Sequence, residues 1–185
     1  MNPPNTSREE IMRVSRKIVS EKGLPALNMR ALAKECGIAL GTLYNYYSDK
    51  DELVVAAIES VWQDILEKSA PDSGVRFSQY VMHIYARILS GLKDYPDFFA
   101  AHSISVAGSA KGKARGMMER CFGKIRGELH AALREDKNVD RSIFSETFRE
   151  EDLIEHILDT ITISIINGKP DCATLTEILD RLLYR

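Results

Sequence analysis

Apolar residues recur through this chain in steps of three and four, the spacing of one buried helix face. Ile11, Val14, Ile18 and Val19 make the first such stripe, ending near Lys22-Gly23. Leu32, Ala33 and Cys36 make a second, and Ile38 and Leu43 supply the contacts of a shorter third. Leu53, Ala57, Ile58, Val61 and Ile65 carry a fourth, with Val54 and Trp62 on its flanks, and Phe77, Val81, Ile84, Ile88 and Leu92 a fifth. A short helix holding Phe98, Phe99 and His102 should follow, then a long one with Cys121, Ile125, Leu129 and Leu133. Ile154, Ile157, Leu158, Ile161 and Ile165 form the next stripe, joined by Leu153, and Leu175, Ile178, Leu179, Leu182 and Leu183 the last. The pattern predicts an all-α chain of about nine helices.

Starts and stops agree with that reading. Ser7-Arg-Glu-Glu10 has the spacing of a capping box, in which hydroxyl and carboxylate serve reciprocal backbone donors. Asn28 is a good N-cap, Gly37 sits where a helix must stop, and Ser48 is placed to cap the fourth helix. Ala70-Pro-Asp-Ser-Gly74 is a loop, Gly108 to Gly112 reads as a connector, and Asp136 to Thr147 is irregular apart from one turn at Ile143-Phe144. The short turn Asn167-Gly-Lys-Pro170 makes the last two helices antiparallel neighbours. The fourth helix has no break near residue 53. It should therefore lead directly from an N-terminal three-helix module (1–53) into a second domain (54–185).

Composition adds one asymmetry. Of 185 residues 44% are hydrophobic, enough for a substantial core and too many for a disordered chain. The net charge of −2 hides eight Lys and Arg against five Asp and Glu in residues 1–50, and 17 against 22 in the rest. A basic module on an acidic body suits a DNA reader with one binding end. Cys36, Cys121 and Cys172 form no C-x-x-C pair, which fits a reducing compartment. The polar, proline-bearing start and the lack of a long apolar run lead us to expect a cytoplasmic protein without membrane association.

The stretch from Asn28 to Lys50 reads N-M-R-A-L-A-K-E-C-G-I-A-L-G-T-L-Y-N-Y-Y-S-D-K. Small Ala33, Gly37 and then Leu43 suit two helices crossing steeply over a tight turn, the geometry of a helix-turn-helix. The outward face of its second helix offers Leu40, Gly41, Thr42, Tyr44, Asn45 and Tyr46. Several of these donate or accept hydrogen bonds and none is an acid, which phosphate would repel. Lys50 opens the next helix; a cation there opposes the helix dipole, a cost that a nearby phosphate or the flanking Asp49 and Asp51 can offset.

The run G-I-A-L-G-T-L-Y-N-Y-Y-S-D-K-D-E-L from Gly37 resembles the signature of the TetR-type repressors, G-V-S-x-G-T-L-Y-x-Y-F-x-S-K-E-x-L. The resemblance is close over about the first 55 residues, and beyond them covers only length and helical character. Ala39 departs from it, standing where the family carries a capping serine or threonine.

The resemblance implies a dimer that reads an inverted-repeat DNA operator and is released by a small effector. It implies Tyr44 and Lys50 on phosphates, with Thr42, Tyr46 and Arg30 in the groove, Arg30 as a bidentate partner for guanine. Leu40 and Gly41 would allow close approach, and Asn45 belongs to the same surface. Arg8 would take a flanking phosphate, although by residue type alone it is a solvated face residue. The family's last helix pair meets its symmetry mate in a four-helix bundle, which assigns Ile154, Ile157, Leu158, Ile161 and Ile165 and their partners Leu175, Ile178, Leu179, Leu182 and Leu183 to a dimer interface. The alternative is that both stripes close the subunit's own core.

An effector pocket would draw on Trp62, Tyr80, Tyr85, Phe98 and Phe99, and on His102, Met117, Met118 and Phe122. At helical spacing the same residues equally describe a core. No cofactor is expected. Two rival functions differ in class. A helical adaptor could keep the fold and lose DNA reading, and a metal enzyme could use Asp152, His156 and Asp159 on one face. A surface ion pair explains those three more simply, and there is no glycine-rich phosphate loop or G-x-S-x-G.

Overall fold

Ser7 opens the first helix, α1 (Arg8–Lys22), its hydroxyl accepting the Glu10 N–H at 3.1 Å. The reciprocal half of the expected capping box is replaced: the Glu10 carboxylate takes the Arg13 guanidinium at 2.6 and 2.8 Å. A bidentate charge-assisted pair one turn along outcompetes a single backbone donor. The computed structural model describes residues 6–67, 74–96, 98 and 111–184, and of 111–115, 117 and 118 the backbone only.

After a 3₁₀ turn at Leu24–Ala26 come α2 (Met29–Cys36), α3 (Leu40–Tyr44) and α4 (Lys50–Glu67). Then follow α5 (Phe77–Lys93), α6 (Lys111–Glu135), a second 3₁₀ turn at Arg141–Ile143, α7 (Glu150–Ile166) and α8 (Ala173–Leu183). The described residues thus hold eight α-helices in an all-α fold. Lys111 and Gly112, expected in the connector, belong to α6. Gly108 lies outside the described residues, as do Phe99 and His102 of the expected short helix, while Phe98 is helical. No described helix is long and apolar enough to cross a membrane.

The cap of α4 differs from expectation by one residue. Asp49, not Ser48, serves the first turn: its carboxylate accepts Glu52 N–H at 2.7 Å and its carbonyl accepts Leu53 N–H at 3.3 Å. Ser48 instead gives its own N–H and hydroxyl to the Glu52 carboxylate, at 2.8 and 2.7 Å. Asp is as good an N-cap as Ser and its charge favours the helix N-terminus.

Two compact units emerge, residues 1–65 with 91–119 and residues 66–90 with 120–185. The chain passes from the first to the second along α4 without a break. In the first unit Ile11, Leu32, Leu43 and Leu53 have no exposed surface, and they join α1 to α4 in one core. Behind it Arg16 of α1 bonds Ser60 of α4 at 2.5 Å, and Asp64 of α4 accepts the Tyr95 hydroxyl at 2.8 Å. Phe98 sits edge-on to Trp62, with ring centroids 6.0 Å apart.

The second unit is tied by one buried acid. Asp136, 6% exposed, accepts the Phe77 N–H at 2.8 Å, the Tyr184 hydroxyl at 2.5 Å and the Asn138 N–H at 3.0 Å. It thereby gathers the start of α5, the end of α6 and the chain after α8. Burial by itself would raise its pKa, but the Tyr184, Phe77 and Asn138 donors outweigh burial and hold the carboxyl below its ordinary range. Leu129, Leu133, Ile154 and Leu183 close the apolar core of this unit.

Gly91 has no room for a side chain. A methyl group built there would lie 2.7 Å from Cγ2 and 2.9 Å from Cγ1 of Ile65, a stiff β-branched side chain with no free space. Crowding costs about 1–3 kcal/mol, more than the ~1 kcal/mol that alanine gains over glycine inside a helix. Gly91→Ala should therefore lower the urea unfolding midpoint. A raised midpoint would mean that α4 and the end of α5 separate freely.

Candidate nucleic-acid interface

The site is built on a turn that only a few residue types can make. Asn28 caps α2, accepting the Ala31 N–H at 2.9 Å. Gly37 ends it in the left-handed region, at φ 68°, where a side chain would be strained. The Gly37 N–H bonds the Lys34 carbonyl at 3.2 Å and the Ile38 N–H bonds the Ala33 carbonyl at 3.0 Å, the two bonds of a Schellman turn. The chain is thus turned sharply just ahead of α3.

α3 is only five residues long. Ala39 occupies its N-cap with φ −66° and ψ 144°, suitable for a cap but lacking any side-chain oxygen to serve as one. Leu43 has no exposed surface and Tyr47 is 2% exposed, so both are core. Burial pushes the Tyr47 hydroxyl pKa up, with the Arg8 charge opposing and Glu52 adding to it. Burying these two turns the remaining residues outward. Gly41, Thr42, Tyr44 and Asn45 are exposed, Tyr44 by half of its surface, while Leu40 and Tyr46 are half-buried. Arg30 and Lys50 lie exposed on α2 and α4, and among the described residues neither has an ion-pair partner. The outward residues of α3 therefore carry hydrogen-bonding groups and no acid, with two available cations on neighbouring helices.

Two residues assigned to this surface have internal partners that sequence periodicity could not reveal. The Tyr46 hydroxyl donates to the Thr6 carbonyl. The Arg8 guanidinium donates to the Tyr46 carbonyl at 2.9 Å and lies over the Tyr47 ring, 5.3 Å from its centroid. Both contacts span about 38 to 40 residues of sequence, so local pattern gives no sign of them.

The residues considered for an effector pocket are dispersed. Trp62 and Phe98 pack together in the first unit; Tyr80, Tyr85 and Phe122 belong to the second. Tyr85 is buried with its hydroxyl on the Lys169 carbonyl at 2.8 Å, and Tyr80 lines a polar cleft of about 450 Å³ with Glu128, Glu135 and Lys137. Phe99 and His102, and the side chains of Met117 and Met118, lie outside the described residues.

The last helix pair is apolar on more than one face. Ile154, Ile157, Leu158 and Ile161 are buried within the single chain, as are Leu175, Leu179 and Leu183. Ile165 is half-buried, whereas Ile178 and Leu182 are 55% and 38% exposed. Ile163 and Ile166, which the stripe reading passed over, are exposed by 57% and 61%. Beside them runs a cleft of about 580 Å³ between α7 and α8, lined by His156, Thr160, Leu175, Ile178 and Leu182 among others. Asp152, considered above as a metal ligand, gives its carboxylate to Arg149 at 2.8 Å, and the described residues hold no group of three potential ligands.

Comparison with known proteins adds to this geometry. Residues 11–57 match the family model of bacterial regulatory proteins of the tetR family. An uncharacterized HTH-type transcriptional regulator of Haemophilus influenzae is 32% identical over 99 residues, covering 47% of this chain and 53% of the relative. The HTH-type transcriptional regulator UidR of Escherichia coli strain K12 is 32% identical over 77 residues, covering 41% and 39%. The chain thus spans about half or less of the length of these curated relatives. Among solved structures, the multidrug binding protein EbrR complexed with proflavin aligns over 95% of this chain and 98% of its own, with a TM-score of 0.62 at 16% identity. The transcriptional regulator SCO7222, a TetR from Streptomyces coelicolor, aligns over 88% and 97%, with a TM-score of 0.54 at 17% identity. At such identities the likeness is one of fold.

The bare N-cap of α3 makes a prediction. Ala39→Ser supplies the missing oxygen in a backbone conformation that already suits it, and should stabilise the protein by about 1 kcal/mol, read as a higher urea midpoint. An unchanged midpoint would mean that the first amides of α3 are satisfied in another way.

Proposed function

We propose that this chain, whose residues 11–57 match the family model of bacterial regulatory proteins of the tetR family, is a helix-turn-helix transcriptional regulator that binds an inverted-repeat operator as a homodimer, acts as a repressor, and is released by a small, largely apolar effector. In this reading residues 1–53 read DNA and residues 54–185 hold the effector and dimerise.

The observation that carries the reading is the outer face of α3. Leu43 and Tyr47 are buried, and Thr42, Tyr44 and Asn45 consequently face solvent without an acid among them. A short helix presenting such a face can enter the major groove and hydrogen-bond base edges. Arg30 and Lys50 add positive charge from the flanking helices, Arg30 as the candidate for guanine and Lys50, with Tyr44, for phosphates. Leu40 and Gly41 would let the backbone approach closely.

Exposed Ile163, Ile166, Ile178 and Leu182 on α7 and α8 favour a second copy as the cover for that face. Two-fold symmetry in the protein then requires two-fold symmetry in the operator. The effector assignment rests on the family match and on the likeness to a fold solved with proflavin bound. Such an effector must bind the state with misspaced reading heads more tightly, because equal affinity for both states shifts nothing.

Gel-shift titration against the protein's own promoter region tests the DNA assignment. Binding should weaken steeply with salt, as expected where phosphates are neutralised. Tyr44→Phe and Lys50→Ala should each weaken binding to all sequences, and Arg30→Ala should also relax sequence preference. Unchanged shifts for all three variants would overturn these roles.

A further inference from the structure

Of the residues on this surface, Arg8 and Tyr46 differ from the rest in having partners within the protein. Thr42, Tyr44 and Asn45 stand exposed, but the ring of Tyr46 is half-buried and its hydroxyl donates to the Thr6 carbonyl, just before α1. Arg8, in the first turn of α1, donates to the Tyr46 carbonyl at 2.9 Å and stacks 5.3 Å above the buried Tyr47 ring. Tyr46 thus meets the start of α1 twice, once through its backbone and once through its side chain.

The local sequence explains why such a connection is needed. Isolated helices shorter than about 12 residues are marginal in water, and α3 has five residues with no side-chain cap at Ala39. Its orientation must therefore be set from outside. Leu43 fixes its depth in the core and Tyr47 is buried just beyond its end, but Leu43 is the one buried side chain within the five helical residues themselves. The contacts at Tyr46 supply a second fixed point at the far end. The charge of Arg8 also lies at the C-terminal end of α3, where the helix dipole is negative and a cation is favoured.

We infer that Arg8 and Tyr46 are positioning residues, a clasp between the start of α1 and the end of α3 that sets the angle at which the outer face of α3 meets a duplex. The inference rests on the DNA-reading assignment above and deepens it. Tyr46 then works through α3 and makes no groove contact of its own, and Arg8 works through Tyr46 and Tyr47 without depending on a phosphate. The consequence is selective. A mistilted α3 loses its base contacts, whereas attraction to phosphates tolerates small changes of angle.

The test compares two duplexes with the full-length protein: one enriched from random-sequence oligonucleotides by the wild type, and a scrambled duplex of equal length. Arg8→Ala and Tyr46→Phe should each weaken binding to the enriched duplex about tenfold and to the scrambled one less than about twofold. The salt dependence on the scrambled duplex should not change. The double variant should bind no more weakly than the weaker single variant, since both substitutions open one clasp. A general loss of folded protein would instead scale both duplexes by the same factor and overturn the inference. It would equally be overturned if Arg8→Ala made the salt slope shallower by about 0.9, the signature of a lost phosphate contact, or if neither substitution changed binding. A wild type that enriches no duplex would overturn the DNA-reading assignment itself, an outcome visible before any variant is made.

Discussion

Leu43 is fully buried while Thr42 and Tyr44 on either side of it are exposed, and this division decides which face of α3 is offered to a partner. A five-residue helix has too few internal hydrogen bonds to persist alone. It exists because the Schellman turn at Gly37 delivers it to a core shaped by Ile11, Leu32 and Leu53. Had the turn been longer or Leu43 polar, Thr42, Tyr44 and Asn45 would have no defined direction. The chemistry of the outer face is therefore a consequence of packing on the inner one.

Much of this was legible in the sequence because it is local. Asn28, Gly37 and most residues of the apolar stripes follow rules that act within one or two helical turns, and the structure places them accordingly, with Ile178 and Leu182 exposed as exceptions. Where two local solutions compete, the pattern alone does not decide. Glu10 chose Arg13 over the Ser7 amide, and Asp49 took the capping position expected of Ser48. Contacts between distant segments were invisible for a different reason. Nothing near Tyr46 in sequence announces the Thr6 carbonyl, and nothing near Asp136 announces Tyr184 or Phe77.

The last two helices illustrate a further limit of periodicity. α7 carries apolar residues on its inner stripe, from Leu153 to Ile161, and again at Ile163 and Ile166, which stand exposed. Hydrophobic spacing identifies the stripe that any folded chain must bury, but it does not separate that stripe from a second one left exposed. Exposure in the folded subunit does separate them. In the folded subunit Ile154, Ile157 and Ile161 are buried, whereas Ile163, Ile166, Ile178 and Leu182 stand exposed. The residues expected in an effector pocket were least legible, since an aromatic or methionine at helical spacing serves a core equally well.

In the proposed function α3 lies in the major groove, twice, with the two copies held by one dimer. Methylation interference on the enriched duplex measures this most directly, because guanine N7 is reached from the major groove. Two clusters of interfering guanines are expected, related by two-fold symmetry and separated by about 10 base pairs or a multiple of that. A single cluster, or interference confined to minor-groove adenines, would contradict it.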